Sequence, residues 1–417
     1  MPRLWAAGES VFEASPPHAT TAVRHALRFS YRAAMHPMPI SRPGFAVFLA
    51  ASLSVMASVP CVSAADASQG APAQTARPVA PPVDPPADVP ADVPTDAPAA
   101  MPVTDGLKRD AAALDAIVTS DLAKRFLAAT ARLAEPSARI VYRNREKGVA
   151  LSKRAFDALA AEERSSFTPR EFPPDFYYAT GYGSPLVYAR VLDLAAQRVK
   201  LSAEGAARPK LLDFGYGTIG QLQLLAHCGF EAHGVDVEPV FPALYSEPGD
   251  TGAMGGGSAE IHMGQWPADE TLRASIGGGY SLITSKNTLK NGYVHPSPPA
   301  GQTIDPKKLV HLGMSDEEFL ARVHDALVPG GVFVIYNICP PQNPPDKEYI
   351  PWADGTSPFS RAMFEKAGFE VLSFDVRDDA WVLDCFMKLG YTEGKTREEA
   401  AKEYLCWYTV VRRNPAA

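Results

Sequence analysis

The sequence predicts an α/β fold: a doubly wound, mainly parallel sheet preceded by a helical extension. Three observations carry that expectation. After Pro209, short apolar runs alternate with helical patterns, as a sheet covered by helices on both faces requires. A glycine-rich turn, Gly215-Tyr216-Gly217-Thr218-Ile219-Gly220, joins the first such run to the first helix. An acid, Asp236, closes the second run about 20 residues beyond that turn.

Four zones precede or make up this body. Residues 1–65 carry a targeting pattern. Their apolar run at 44–59 has the length of a signal-peptide core and is short for a membrane span. Arg42 lies just ahead of it, and Val62-Ser63-Ala64 supplies a small-x-small cleavage pattern. Export to the periplasm or outside the cell is therefore expected, with a mature N-terminus at Ala65 or Asp66 and no stable membrane span afterwards. About 40 residues precede the run, so Met35 and Met38 stand as alternative starts. An uncleaved N-terminal anchor and a cytoplasmic location are the competing readings.

Residues 66–103 are rich in Pro and Ala and hold no aromatic residue. Such a stretch buries too little apolar surface to offset its ordering entropy, so a disordered, partly polyproline spacer is expected. Residues 104–208 are expected to form the helical extension. Leu107, Ala111, Leu114, Leu122 and Phe126 recur at helical spacing, and a second helical stretch covers 153–164. The Tyr-rich segment Asp175–Ser184 follows. It reads either as a cover over a ligand, with Tyr178 foremost, or as a packed structural turn. Residues 209–417 form the sheet domain.

Composition excludes some functions. A net charge of -7 argues against gripping nucleic acid by bulk charge. Five scattered cysteines without a CxxC pair make neither a disulfide scaffold nor a zinc ribbon. The nine histidines form no HxH or HxxxH pair, so no metal site is expected.

The chemistry concentrates in residues 210–239. Lys210 to Asp213 read as a strand ending in an acid, 221–228 as a helix stopped by Gly229, and 231–235 as a second strand tipped by Asp236. Glycine lets backbone approach a ligand closely, and an acid at this distance accepts hydrogens from both ribose hydroxyls. An adenosine-bearing cofactor fits. The pattern Gly215-x-Gly217-x-x-Gly220 also satisfies the dinucleotide fingerprint, which keeps an NAD-dependent oxidoreductase open.

With Asp213 two residues ahead of the first glycine, this unit resembles the first motif of the class I S-adenosylmethionine (SAM)-dependent methyltransferases. Later segments follow in the order of that family. Ile261 to Pro267 resemble the third strand and its adenine-flanking loop, and Tyr280 to Asn287 the fourth strand. The Pro329-Gly330-Gly331 turn leads into a fifth, and two late strands, 369–376 and 404–412, resemble the reversed C-terminal hairpin. The resemblance implies a seven-stranded Rossmann-like sheet, SAM as cofactor, and methyl transfer. Two departures stand out: the third glycine falls at Gly220 rather than at Ile219, and Gln265 and Trp266 replace an acid.

Carried onto this sequence, the resemblance places the cofactor against Asp213, Gly215, Tyr216, Gly217, Gly220, Asp236, Val237, Gln265, Trp266, Ser285 and Tyr178. It places the acceptor near Asn287, with Tyr293 or His295 taking a proton. Lys286 and Lys290 read as loop lysines, able at most to attract an acidic substrate. Asn343-Pro344-Pro345-Asp346 lies after the fifth strand and ends in Asp, so it is not the Asn-Pro-Pro-aromatic motif of amino-methylating DNA enzymes. The loop 339–359 reads instead as a wall or lid, and 249–257 as a flexible glycine-rich insertion. The expected acceptor is a small molecule, with a protein acceptor open and no nucleic acid. The competing class is an exported, non-catalytic binding protein of the same fold.

Overall fold

The computed structural model describes residues 101–198 and 208–415. The targeting region and almost all of the spacer lie outside them. Eleven strands are present among the described residues: β1 (Arg139–Asn144), β2 (Val149–Ser152), β3 (Thr168–Phe172), β4 (Lys210–Phe214), β5 (Glu231–Asp236), β6 (Gly252–Met254), β7 (Gly257–Met263), β8 (Tyr280–Lys286), β9 (Leu327–Cys339), β10 (Phe369–Arg377) and β11 (Leu405–Arg413).

The main sheet has eight strands in the order β10-β11-β9-β8-β4-β5-β7-β6. Five of them, β7, β5, β4, β8 and β9, are parallel. The last strand of the chain, β11, runs antiparallel and slots between β9 and β10. The seven expected strands are all there, with the late hairpin reversed as expected. The eighth, β6, is an addition. It comes from the glycine-rich insertion, which is an ordered hairpin rather than a loose loop. Met254 pairs with Gly257, leaving Gly255 and Gly256 as a two-residue turn with φ of 59° and 96°. Positive φ at both central residues is what a tight hairpin of matching twist demands. The third parallel strand therefore begins at Gly257, earlier than the sequence pattern suggested.

Parallel strands buried on both faces alternate their side chains between two cores. Leu211 faces one with Ala232 and Val334, while Leu212 faces the other with Val235 and Phe333. The first core also takes in Leu107, Phe126, Tyr178 and Leu186, so the N-terminal extension closes that face of the sheet. The second is covered by the helices Asp316–Ala326 and Arg361–Lys366 through Phe319 and Phe364.

The extension is not wholly helical. Its helices Val103–Leu114 and Asp121–Ala128 are followed by a separate antiparallel sheet, β2-β1-β3. The expected helix at 153–164 is two short helices, Lys153–Asp157 and Ala161–Arg164. The Pro-Gly-Gly turn also differs. Pairing jumps from Tyr280 opposite Leu327 to Leu282 opposite Val332, so residues 328–331 bulge out at the start of β9, with Gly330 at a φ of 80°.

Candidate functional site

Ligands of open parallel sheets sit beyond the carboxyl ends of the strands, where the strand order reverses. Here that point lies between β4 and β8, and a cleft opens beside it over the ends of β4, β5 and β7. The space between its walls is about 620 Å³ with the open mouth included. Phe214, Gly215, Val235 and Asp236 form its floor, Val237, Gln265 and Trp266 one side, and the segment 309–312 the other.

Each wall follows from local structure. Gly215 has a φ of 72°, and a side chain there would meet Thr288 Oγ1 at 2.2 Å, so only glycine lets the turn after β4 lie this close to the segment after β8. Gly264 continues β7 and donates its amide to the Asp236 carbonyl at 2.9 Å. Gln265 holds the opposite wall by donating Nε2 to the His311 carbonyl at 2.7 Å. Trp266 is buried, and its indole Nε1 has no partner within the protein.

Asp236 is the electrostatic centre. Its carboxylate accepts backbone hydrogens from Gly217 at 3.2 Å and Glu238 at 3.0 Å. Burial nevertheless pushes its pKa up to about 7, because those donors and the Val237 amide only partly offset lost solvation and the nearby Glu238 charge repels ionisation.

Beneath the cleft lies a buried ion pair. Lys286, the last residue of β8, donates to Asp213 at the end of β4, and Thr284 Oγ1 donates to the same oxygen at 3.0 Å. The second carboxylate oxygen, Oδ2, has no partner within the protein. Burial lowers the lysine pKa, and the Asp213 charge opposes that shift. Lys290 is buried as well. It donates to the carbonyls of Ile338 at 2.6 Å and Trp352 at 3.2 Å, between the rings of Tyr182 and Tyr293. Burial brings its pKa down to about 8. Neither lysine is the solvated loop residue that the sequence suggested.

Of the residues expected around the cofactor, Gly215, Asp236, Val237, Gln265 and Trp266 meet in the cleft. Asp213 lies below it. Tyr216 packs against Phe241 and under Gly234, while Gly217 touches the site through its amide. Gly220 begins the helix Gly220–His227 and rests on the Tyr178 ring, whose hydroxyl donates to the Ala134 carbonyl. Tyr178 is thus part of the packed core. Ser285 is buried and accepts from the Leu289 amide.

The acceptor-side residues lie outside the cleft lining. Asn287, at a φ of 60°, accepts the Ile338 amide through Oδ1 and donates Nδ2 to the Tyr188 hydroxyl. Tyr293 is buried. His295 is exposed, with Nε2 2.8 Å from Asp316. The loop 339–359 folds back on the same segment: Asn291 donates to Asp354 at 2.7 Å, and any side chain at Gly292 would meet the Pro351 carbonyl at 2.1 Å. The wall 309–312 was missed, although Leu309-Val310-His311-Leu312 is an apolar run inside an otherwise polar connection.

No protein-family model matches the chain, and no curated protein does. Solved structures with a similar fold include the cyclase SpnF, at 13% identity and a TM-score of 0.30, over 54% of this chain and 81% of that one. Another is geranyl diphosphate C-methyltransferase from Streptomyces coelicolor with S-adenosyl-L-homocysteine, at 14% and 0.29, over 54% and 77%. A third is a Haemonchus contortus phosphoethanolamine N-methyltransferase, also with S-adenosylhomocysteine, at 12% and 0.32, over 71% and 75%. TM-scores below 0.5 add no weight to the fold, which rests on the strand order itself. The fold is Rossmann-like, of the methyltransferase kind. Five parallel strands followed by an antiparallel last strand inserted before the sixth are not the six-stranded dinucleotide arrangement.

Proposed function

We propose that the cleft binds SAM and that the chain transfers its methyl group to a small-molecule acceptor. The observation that carries this reading is Asp236, a buried carboxylate on the cleft floor at the tip of the second strand of a methyltransferase-type sheet. The residues present fit the adenosine half of the cofactor. Asp236 accepts from the ribose hydroxyls, Gly215 gives room for close approach, and Trp266 offers a ring face and an unpartnered N–H beside the base.

When bound, the cofactor supplies an electrophilic methyl on a sulfonium. The protein's task is to align and desolvate, with a base where the acceptor carries a proton. The segment 287–295 after β8 is the acceptor side of the proposal. Asn287 is fixed there at both ends of its amide, so its part is to hold the shape of that segment.

A second reading, a binding protein without catalysis, is favoured by one observation. Lys286 places a cation on Asp213, the acid that the resemblance sets against the cationic end of SAM. Calorimetric titration of the full chain with SAM, S-adenosylhomocysteine and NAD tests both. Micromolar binding of the two sulfur nucleosides and none of NAD is expected. NAD binding alone, or no binding, overturns the proposal. Binding of S-adenosylhomocysteine far tighter than SAM, with no transfer to any acceptor in a screen, supports the second reading. Export remains part of the proposal: N-terminal sequencing of native protein should find Ala65 or Asp66 first, and a retained Met1 would overturn it.

A further inference from the structure

The sequence holds no linear histidine pair of metal-ligand spacing, yet folding assembles one across two strands. His233 lies on β5, and Glu260 and His262 on β7. His233 pairs in register with Glu260, and Val235 with His262. Residues two apart on a strand share a face. The three side chains therefore project from one face of the sheet, two residues short of the cleft-lining Val235 and Gly264.

Their donor atoms converge. His233 Nδ1 lies 3.1 Å from His262 Nε2 and 3.6 Å from Glu260 Oε2, and the Glu260 oxygen is 4.0 Å from His262 Nε2. The two rings are nearly parallel, 12° apart. Both carboxylate–imidazole separations are too long for hydrogen bonds. They are close to what a metal would impose. For ligand bonds near 2.05 Å, the edge of a tetrahedron is about 3.3 Å. The three observed separations bracket that length. Two imidazole nitrogens and one carboxylate suit a borderline transition-metal ion and not calcium or magnesium, which want oxygen.

We propose that His233, Glu260 and His262 form a binding site for one divalent ion of the zinc class. The ion ties the outer strand β7 to β5, just below Asp236, and leaves a fourth position facing solvent on the half-exposed side of Glu260. Its place below the cleft makes it a brace for the strand ends that line the cleft. The site is independent of what the cleft binds.

The test uses the full chain after treatment with a chelator. Zinc is titrated in against a chromophoric competitor, and cobalt is added separately for its visible spectrum. One zinc per chain, the intense absorption of tetrahedral cobalt and a raised melting temperature are expected. His233→Gln, His262→Gln and Glu260→Gln should each weaken zinc by more than about tenfold. If a histidine variant fails to fold, Glu260→Gln decides, because its side chain is half exposed. No zinc uptake by the wild type overturns the proposal, as does uptake of equal affinity in the variants. In that case the rings are a plain hydrogen-bonded pair.

Discussion

Replacing Asp236 by Asn should stabilise the free protein while damaging the nucleoside site. The carboxyl is buried, and its pKa rises from 3.8 to about 7 on folding. At about 1.4 kcal/mol per pH unit, the ionised side chain costs the fold up to roughly 4 kcal/mol. The sign is fixed by proton counting. Between pH 4 and 7 the folded state holds a proton that the unfolded state has released, so stability falls as pH rises through that window and levels off above it. Asn carries no charge to desolvate, but Gly217 and Glu238 donate to different carboxylate oxygens, so its single oxygen serves only one of them and the other amide loses its acceptor, which takes back about 1 kcal/mol of the gain. Its advantage over Asp should therefore be small at pH 4.5 and largest at pH 8, where a gain of about 5 °C in melting temperature is expected. Thermal unfolding of both proteins across pH 4.5–8.5 measures this, and calorimetry at pH 8 should show nucleoside binding weaker by about 2 kcal/mol. A variant less stable than wild type at pH 8, or a difference that does not grow with pH, would refute the burial argument.

Other outcomes follow from the same packing. Lys286→Met leaves Asp213 buried without a counter-charge and should cost about 3–5 kcal/mol in urea unfolding, much of it recovered when Asp213→Asn is added. Lys290 has its pKa depressed to about 8, so the unfolded state binds the extra proton between pH 8 and 10.5 and stability rises with pH there. Lys290→Met should lack that contribution in the difference between the two pH profiles. Gly234→Ala puts a methyl 2.5 Å from Leu222 Cδ1 and 2.8 Å from the Tyr216 ring, and should destabilise by about 1–3 kcal/mol by chemical denaturation. Trp266→Phe should abolish most of any fluorescence change on nucleoside binding, since it is the tryptophan that lines the cleft.

What the sequence revealed and what it hid divide along physical lines. The unit from β4 to β5 was legible because strand, positive-φ glycines, helix and acid are consecutive, so local rules suffice. The strand tip Asp236 and the pair Gln265-Trp266 could be placed in the cleft for the same reason. Asp213 was readable as a motif acid, but its partner Lys286 is 73 residues away in sequence and depends on β4 and β8 lying side by side. Lys290 looked like a surface residue because no local pattern shows that the loop 339–359 folds over it. Tyr178 could be read two ways, and long-range packing against Gly220 put it in the core. The β6–β7 hairpin is signalled in the sequence only by the Gly255-Gly256 pair, whereas β1 to β3 are short, half-exposed and weakly patterned.

The position of β11 sets the order in which this sheet can be completed during synthesis. Of the strands in this sheet, Leu405–Arg413 is the last to leave the ribosome, yet it sits between β9 and β10, both made earlier. Until it arrives, the 13-residue β9 presents an unpaired, largely apolar edge, and β10 has no neighbour to join. Such edges are templates for pairing with other chains. A nascent or truncated chain lacking these nine residues should therefore depend on chaperones far more than its small loss in length suggests.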